Sequence, residues 1–205
     1  MTNQDDFENL KQASIEALEF EGNHDSSEME IWIVKSFLSN LKVSFAENEL
    51  IKQEQNSKVD IIFKECQFQL KTLLFNENYR PDDEAKKLIN KNIETPKDIL
   101  LNHPSSELLL DRLIKETFHL AHKTNGSSTL IYPDHIRANL DLLLFVRVDF
   151  NLPMPLAIDF EQNISEQLKN AGWRSVSYLF GINSLVLSLA ENAPEILKNI
   201  YLNQI

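Results

Sequence analysis

The stretch Val59-Asp60-Ile61-Ile62-Phe63-Lys64-Glu65-Cys66-Gln67-Phe68-Gln69-Leu70-Lys71 constrains the fold more than any other part of the chain. Val59, Ile61 and Phe63 alternate with Asp60 and Ile62; Cys66, Phe68 and Leu70 alternate with Gln67, Gln69 and Lys71. A period of two belongs to half-buried strands, and two such runs this close together form an antiparallel hairpin. Any symmetric, even-length turn around Lys64-Glu65 sets Asp60 across from Gln69. Lys71 then lies diagonally from Asp60 on the same face. Neither turn residue favours positive φ, so a four-residue loop from Phe63 to Cys66 is expected rather than a two-residue one. The opposite face offers Val59, Ile61, Phe63, Phe68 and Leu70 to a core. An acid, a second oxygen ligand and a lysine on one hairpin face can hold a divalent metal beside a phosphodiester.

This layout resembles the PD-(D/E)xK nuclease superfamily, in which a helix precedes a three-stranded sheet, followed by a helix and another strand. Three segments, Val59-Asp60-Ile61-Ile62-Phe63, Leu140-Asp141-Leu142-Leu143-Leu144-Phe145-Val146 and Gly172-Trp173-Arg174-Ser175-Val176-Ser177, also resemble a bacterial family of uncharacterised proteins labelled as endonucleases (domain of unknown function 1780). That likeness spans roughly residues 28–195. The resemblance implies that Asp60 and the backbone carbonyl of Leu70 bind magnesium or manganese, while Lys71 orients or activates the attacking water. It implies DNA or RNA as the partner. Gln69 departs from the pattern, standing where the superfamily carries an acid. Its amide oxygen can coordinate a cation but brings no charge. The competing use of the same residues is a cross-strand Asp60–Lys71 ion pair bridged by Gln69, in a nuclease-fold protein that has become an interaction or nucleic-acid-binding module.

Length and composition set the frame for that hairpin. At 205 residues and 42% hydrophobic content, one domain with a substantial core is expected. Four glycines are few for a sheet-rich chain and point to a large helical share. The expected fold is α/β, a single layered domain with a small mixed β-sheet flanked by helices. An acidic N-terminal helix is expected within residues 1–22, the nuclease-like domain over 28–205, and an insertion at 76–103 broken by prolines. One cysteine excludes a disulfide framework, and Cys66 reads as a buried, inert thiol. No signal-peptide pattern and no bilayer-length apolar run are evident, so a cytoplasmic location is expected.

A net charge of −11 argues at first against nucleic acid, because phosphate binding draws on Lys and Arg. The distribution softens that objection. Residues 1–30 hold nine acids against Lys11 alone, whereas residues 52–97, which contain the hairpin, hold nine basic residues against eight acids. The acidic arm reads as an amphipathic helix covering core through Phe7, Leu10 and Leu18; the sharper alternative is a screen against non-specific phosphate binding.

Along the chain, Asp5-x-x-Glu8 opens a first helix through about Phe20, and a second runs from about Glu28 to Leu41 with Met29, Ile33, Phe37 and Leu41 on one stripe. A short strand at Lys42–Phe45, a polar loop at Asn48–Lys58 and a helix at about Ser106–Lys123 are expected. Leu142–Val148 reads as a central strand covered on both faces and Trp173–Phe180 as a further strand. Ser184–Tyr201 reads as helix interrupted at Pro194. Glu30 is a candidate extra acid, but Ser27-x-x-Glu30 is also a capping box. His119-x-x-His122 with Glu116 could bind a metal, yet both histidines fall on or beside the polar side of their helix. Pro81-Asp82-Asp83 continues as helix and is set aside. Asp141 caps or terminates its strand in the ordinary reading, with catalysis as the minority one.

Overall fold

Strands that are apolar on both sides must be covered on both sides, and helices do this here. The computed structural model describes residues 26–54, 56–74, 114, 115, 117, 119, 132–147, 162–180 and 183–203. Helix α1 (Ser26–Asn40) leads into a 3₁₀ turn (Glu47–Glu49), then β1 (Leu50–Lys52), β2 (Ile61–Phe63) and β3 (Cys66–Leu74). Helical residues Ile114, Lys115, Thr117 and His119 follow. The short helix α2 (Asp134–Arg137), β4 (Asp141–Arg147), α3 (Gln162–Lys169), β5 (Ser175–Phe180), β6 (Asn183–Leu189) and α4 (Glu195–Leu202) complete the order. The six strands form one mixed sheet in the order β1-β2-β3-β4-β5-β6. Pairs β3–β4 and β4–β5 are parallel, and the outer pairs are antiparallel.

One face of the sheet is covered by α1 and α4. Ile33, Phe37, Leu38 and Leu197 meet Ile61, Phe63, Phe68, Leu143, Phe145 and Leu179 there. Phe37 and Phe68 touch edge to face with centroids 5.9 Å apart. The other face packs Leu142, Leu144, Val146, Val176 and Tyr178 with Leu168 and Ala171 of the α3 region and with Tyr132 and Trp173. Central β4 is buried from Asp141 to Val146, which is why it reads as an uninterrupted apolar run.

Sequence expectations and structure part at several places. The hairpin turn is the two-residue Lys64-Glu65, since Phe63 pairs with Cys66. Lys64 takes φ +51°, held by its ion pair to Glu49 (3.7 Å) and its place over the Phe63 ring (4.9 Å). Val59 packs with the Tyr132 side and not with Ile61, because regular pairing starts only at Ile61. Residues 42–45 are no strand. They close α1 with Lys42 at φ +57° and bonds from Val43 N–H to Leu38 O and Lys42 N–H to Ser39 O, a Schellman arrangement. The expected polar loop contains β1. The expected helix at 184–201 divides into β6 and α4. Expectations for residues 1–22, 76–103, Pro81-Asp82-Asp83, Glu116 and His122 lie outside the described residues.

Candidate functional site

Regular β2–β3 pairing begins at Ile61 opposite Phe68, so the expected Asp60–Gln69 backbone pair is not part of it; the two residues meet through their side chains instead. The Asp60 backbone is pinned from both sides: its N–H donates to Phe68 O and its carbonyl accepts from Gln53 N–H, each at 2.9 Å. Its carboxylate therefore has little freedom. Asp60 Oδ2 accepts from the Leu70 N–H at 2.6 Å and from Gln69 Nε2 at 2.6 Å. The same Gln69 Nε2 lies 3.3 Å from Leu70 O, so one amide group donates to both oxygens expected to be ligands. Gln69 is buried, at 3% exposure.

Lys71 shares the sheet face with Gln69 by alternation, and its Nζ lies 5.9 Å from the centroid of the Tyr132 ring. Lys58 Nζ lies 5.4 Å from the same centroid. Tyr132 comes from the segment before α2 and is anchored through Arg137, which donates to Tyr132 O (2.6 Å), Asp134 Oδ1 (2.7 Å) and Ala171 O (2.9 Å). Gly172, at φ +76°, lets that guanidinium approach: a Cβ there would sit 3.3 Å from Arg137 Nη2. Glu30 pairs with Lys52 Nζ at 3.0 Å. Since α1 already includes Ser26, Ser27 lies inside the helix rather than capping it.

Burial is the main influence on Asp60 and pushes its carboxyl above the usual range. Glu30 pushes the same way, against the Leu70 bond and the charges of Lys71 and Lys52. A raised pKa in the folded state means that the stabilising contribution is present below the unfolded carboxylate value and is lost as pH rises through the folded one. Ionised Asp60 therefore costs stability at neutral pH. Asn keeps an oxygen for both donors, so Asp60→Asn is expected to be the more stable protein at neutral pH, by about a few tenths of a kcal/mol because the carboxyl keeps part of its solvent contact. The difference should vanish near pH ~3. Thermal melts at the two pH values check this, and a variant that melts lower at neutral pH contradicts it. Tyr132 is pushed up to about 12 by burial and by Asp60, so its phenol stays neutral.

Asp141 lies in the other face of the sheet, fully buried. Arg174 grips both of its oxygens, Nε at 3.1 Å from Oδ1 and Nη2 on Oδ2. Ser175 Oγ donates to Oδ1 and Gln67 N–H to Oδ2, both at 2.8 Å. Arg174 Nη2 also reaches Glu65 O in the hairpin turn at 3.1 Å. This network clamps the hairpin to β4 and β5, a structural role that lone spacing could not reveal. Cys66 is buried beside it; burial first, then the Asp141 charge, push its thiol up, so it stays protonated and inert. His119 is exposed on its helix. Among the described residues no group of three or more His, Cys, Asp or Glu gathers as a metal cluster, and no helix is long and apolar enough to cross a membrane.

The structure brings the expected Asp60, Gln69, Leu70 and Lys71 together and adds Tyr132, Lys58 and Arg174, which the sequence reading does not single out. Lys58 stands two residues before Asp60, a usable signal; Tyr132 arrives from a distant segment and leaves none.

Fold and site together define a mixed α/β protein with a six-stranded sheet flanked by helices and an acid–amide–lysine cluster on its β2–β3 hairpin. The chain belongs to the family described as "Putative endonuclease, protein of unknown function (DUF1780)", whose profile matches residues 2–204. No curated protein matches it. Among solved structures it is similar to "Protein of Unknown Function PA4535 from Pseudomonas aeruginosa strain PAO1, Monooxygenase Superfamily", with 24% identity over 97% of this chain and 92% of that one and a TM-score of 0.60. At that identity the likeness concerns the fold.

Proposed function

We propose that this chain is a PD-(D/E)xK-type nuclease that hydrolyses phosphodiester bonds of DNA or RNA with magnesium or manganese. The observation that carries this is convergence: Asp60 Oδ2 and Leu70 O both face one donor point, now taken by Gln69 Nε2. A family described as a putative endonuclease and the order helix, three strands, helical segment, strand agree with it.

Two hard oxygens meeting at one point fit a hard cation, which would take the place of Gln69 Nε2, and Gln69 would add its amide oxygen as a third ligand once the side chain swings clear of that point. A bound cation would polarise phosphate and acidify water. The remaining work falls to the chain's own groups. Asp60, fixed by backbone bonds on both sides, holds its oxygens in place. Lys71, placed over the neutral Tyr132 ring, faces the phosphate or the attacking water as a positive charge, where fixed charge is most effective. The present direction of the Gln69 amide favours a second reading, in which its N–H groups substitute for the cation and the protein binds nucleic acid without cutting it.

A cleavage assay on duplex DNA, single-stranded DNA and RNA, across magnesium and manganese, separates the two. Cleavage that chelator abolishes and that falls about 10²–10³-fold in Lys71→Ala supports hydrolysis. No cleavage of any substrate, or undiminished cleavage by Lys71→Ala, overturns it.

A further inference from the structure

We propose that Lys58 and Lys71 form a two-point phosphate clamp on the ring of Tyr132, gripping neighbouring phosphates of one nucleic-acid strand. The proposal rests on the nucleic-acid reading above for its ligand class, but it assigns a residue outside the expected motif. Both ammonium groups lie over the same ring, at 5.4 and 5.9 Å from its centroid. Attraction to a ring face gives a lysine a preferred position without neutralising it, and the phenol of Tyr132 stays uncharged. Tyr132 is itself buried at 6% exposure and fixed through Arg137, so it serves as a rigid platform. Lys58 is exposed and Lys71 half-buried, an arrangement with one charge inside the site and one at its rim. Lys52, which acts on Asp60 together with Lys71, is already paired with Glu30. Asp60 lies close enough to Tyr132 to act on its phenol, which places the clamp beside the candidate hydrolytic group.

The test measures binding of fluorescein-labelled oligothymidylate to the full chain by anisotropy, in chelator, over a range of salt. Each lost phosphate contact lowers the slope of log affinity against log salt by about 0.7 for single strands. Lys58→Ala should bind several-fold more weakly with that smaller slope, and Lys58→Arg should restore it. Lys169→Ala, an exposed lysine on α3, should leave the slope unchanged. An unchanged slope in Lys58→Ala overturns the clamp, as does an equal loss in Lys169→Ala or a wild-type chain that does not bind. Cleavage without any Lys58 effect leaves the nuclease standing and removes the clamp. Lys58-dependent binding without cleavage keeps the clamp and removes hydrolysis.

Discussion

Asp141→Ala is expected to cost about 3–5 kcal/mol, the scale of a buried ion pair that loses one partner. Asp141 is fully buried and answers four donor groups: two from Arg174, one from Ser175 and one from the Gln67 backbone. Removing it strands the Arg174 guanidinium at about one-tenth exposure. For a chain of this size the melting temperature should fall by roughly 10 °C. Asp141→Leu combined with Arg174→Met should recover much of the loss, since a well-packed apolar pair can replace a buried ionic one. Because Arg174 also holds Glu65 O, hydrogen exchange at the hairpin amides, Leu70 included, should quicken in the single variant. Urea unfolding of the three proteins decides the matter: a loss below about 1 kcal/mol would mean the network is not a clamp.

Gln69→Glu is expected to change metal affinity, stability and activity together. Gln69 Nε2 sits 2.6 Å from Asp60 Oδ2, so the substitution replaces a donor with a second carboxylate at contact distance. Two like charges so placed raise one another's pKa. Without metal, the variant should be less stable by about 1–3 kcal/mol at neutral pH. That loss should shrink on acidification, because both raised groups then carry protons. With metal the sign reverses. Two carboxylates and the Leu70 carbonyl make a charged oxygen set, and manganese affinity should rise at least about tenfold, or ~1.4 kcal/mol. Binding to the folded state alone then raises the melting temperature with manganese concentration. Cleavage should rise in parallel if the remaining site is intact. Calorimetric titration that finds no manganese binding in either protein removes the cation from the site and leaves the non-cutting reading.

Local signals made the β2–β3 hairpin legible. Alternation from Val59 to Lys71 is a property of neighbours in the chain, and it brings Asp60 and Gln69 together for any symmetric, even-length turn; regular pairing nevertheless stops at Ile61, which leaves Val59 on the other face from Ile61. The two-residue turn is not legible locally, since Lys64 at positive φ is tolerated through contacts with Glu49 and Phe63 that only the fold supplies. β1 is not legible because three residues cannot show a period. β6 reads as helix for a different reason. Opposite the Val176–Ser177 step, β6 carries an extra residue at Leu187, and this shifts the phase so that Leu185 and Leu187 pack on one face whereas Leu189, two residues on, packs on the other. A bulge of that kind imitates helical spacing.

Local patterns along the chain carry the hairpin, the two-sided burial of β4, the strand character of β5, the stripe of α1 and the gathering of Asp60, Gln69 and Lys71; the burial of Ser175 and Ser177 in β5 is not contained in its alternation. The tertiary structure alone decided what those residues face. It set the Gln69 amide between Asp60 Oδ2 and Leu70 O, brought Tyr132 under Lys58 and Lys71, and buried Asp141 against Arg174. These contacts join residues up to dozens of positions apart, where no local period carries information. Their geometry is fixed by packing on the two sheet faces.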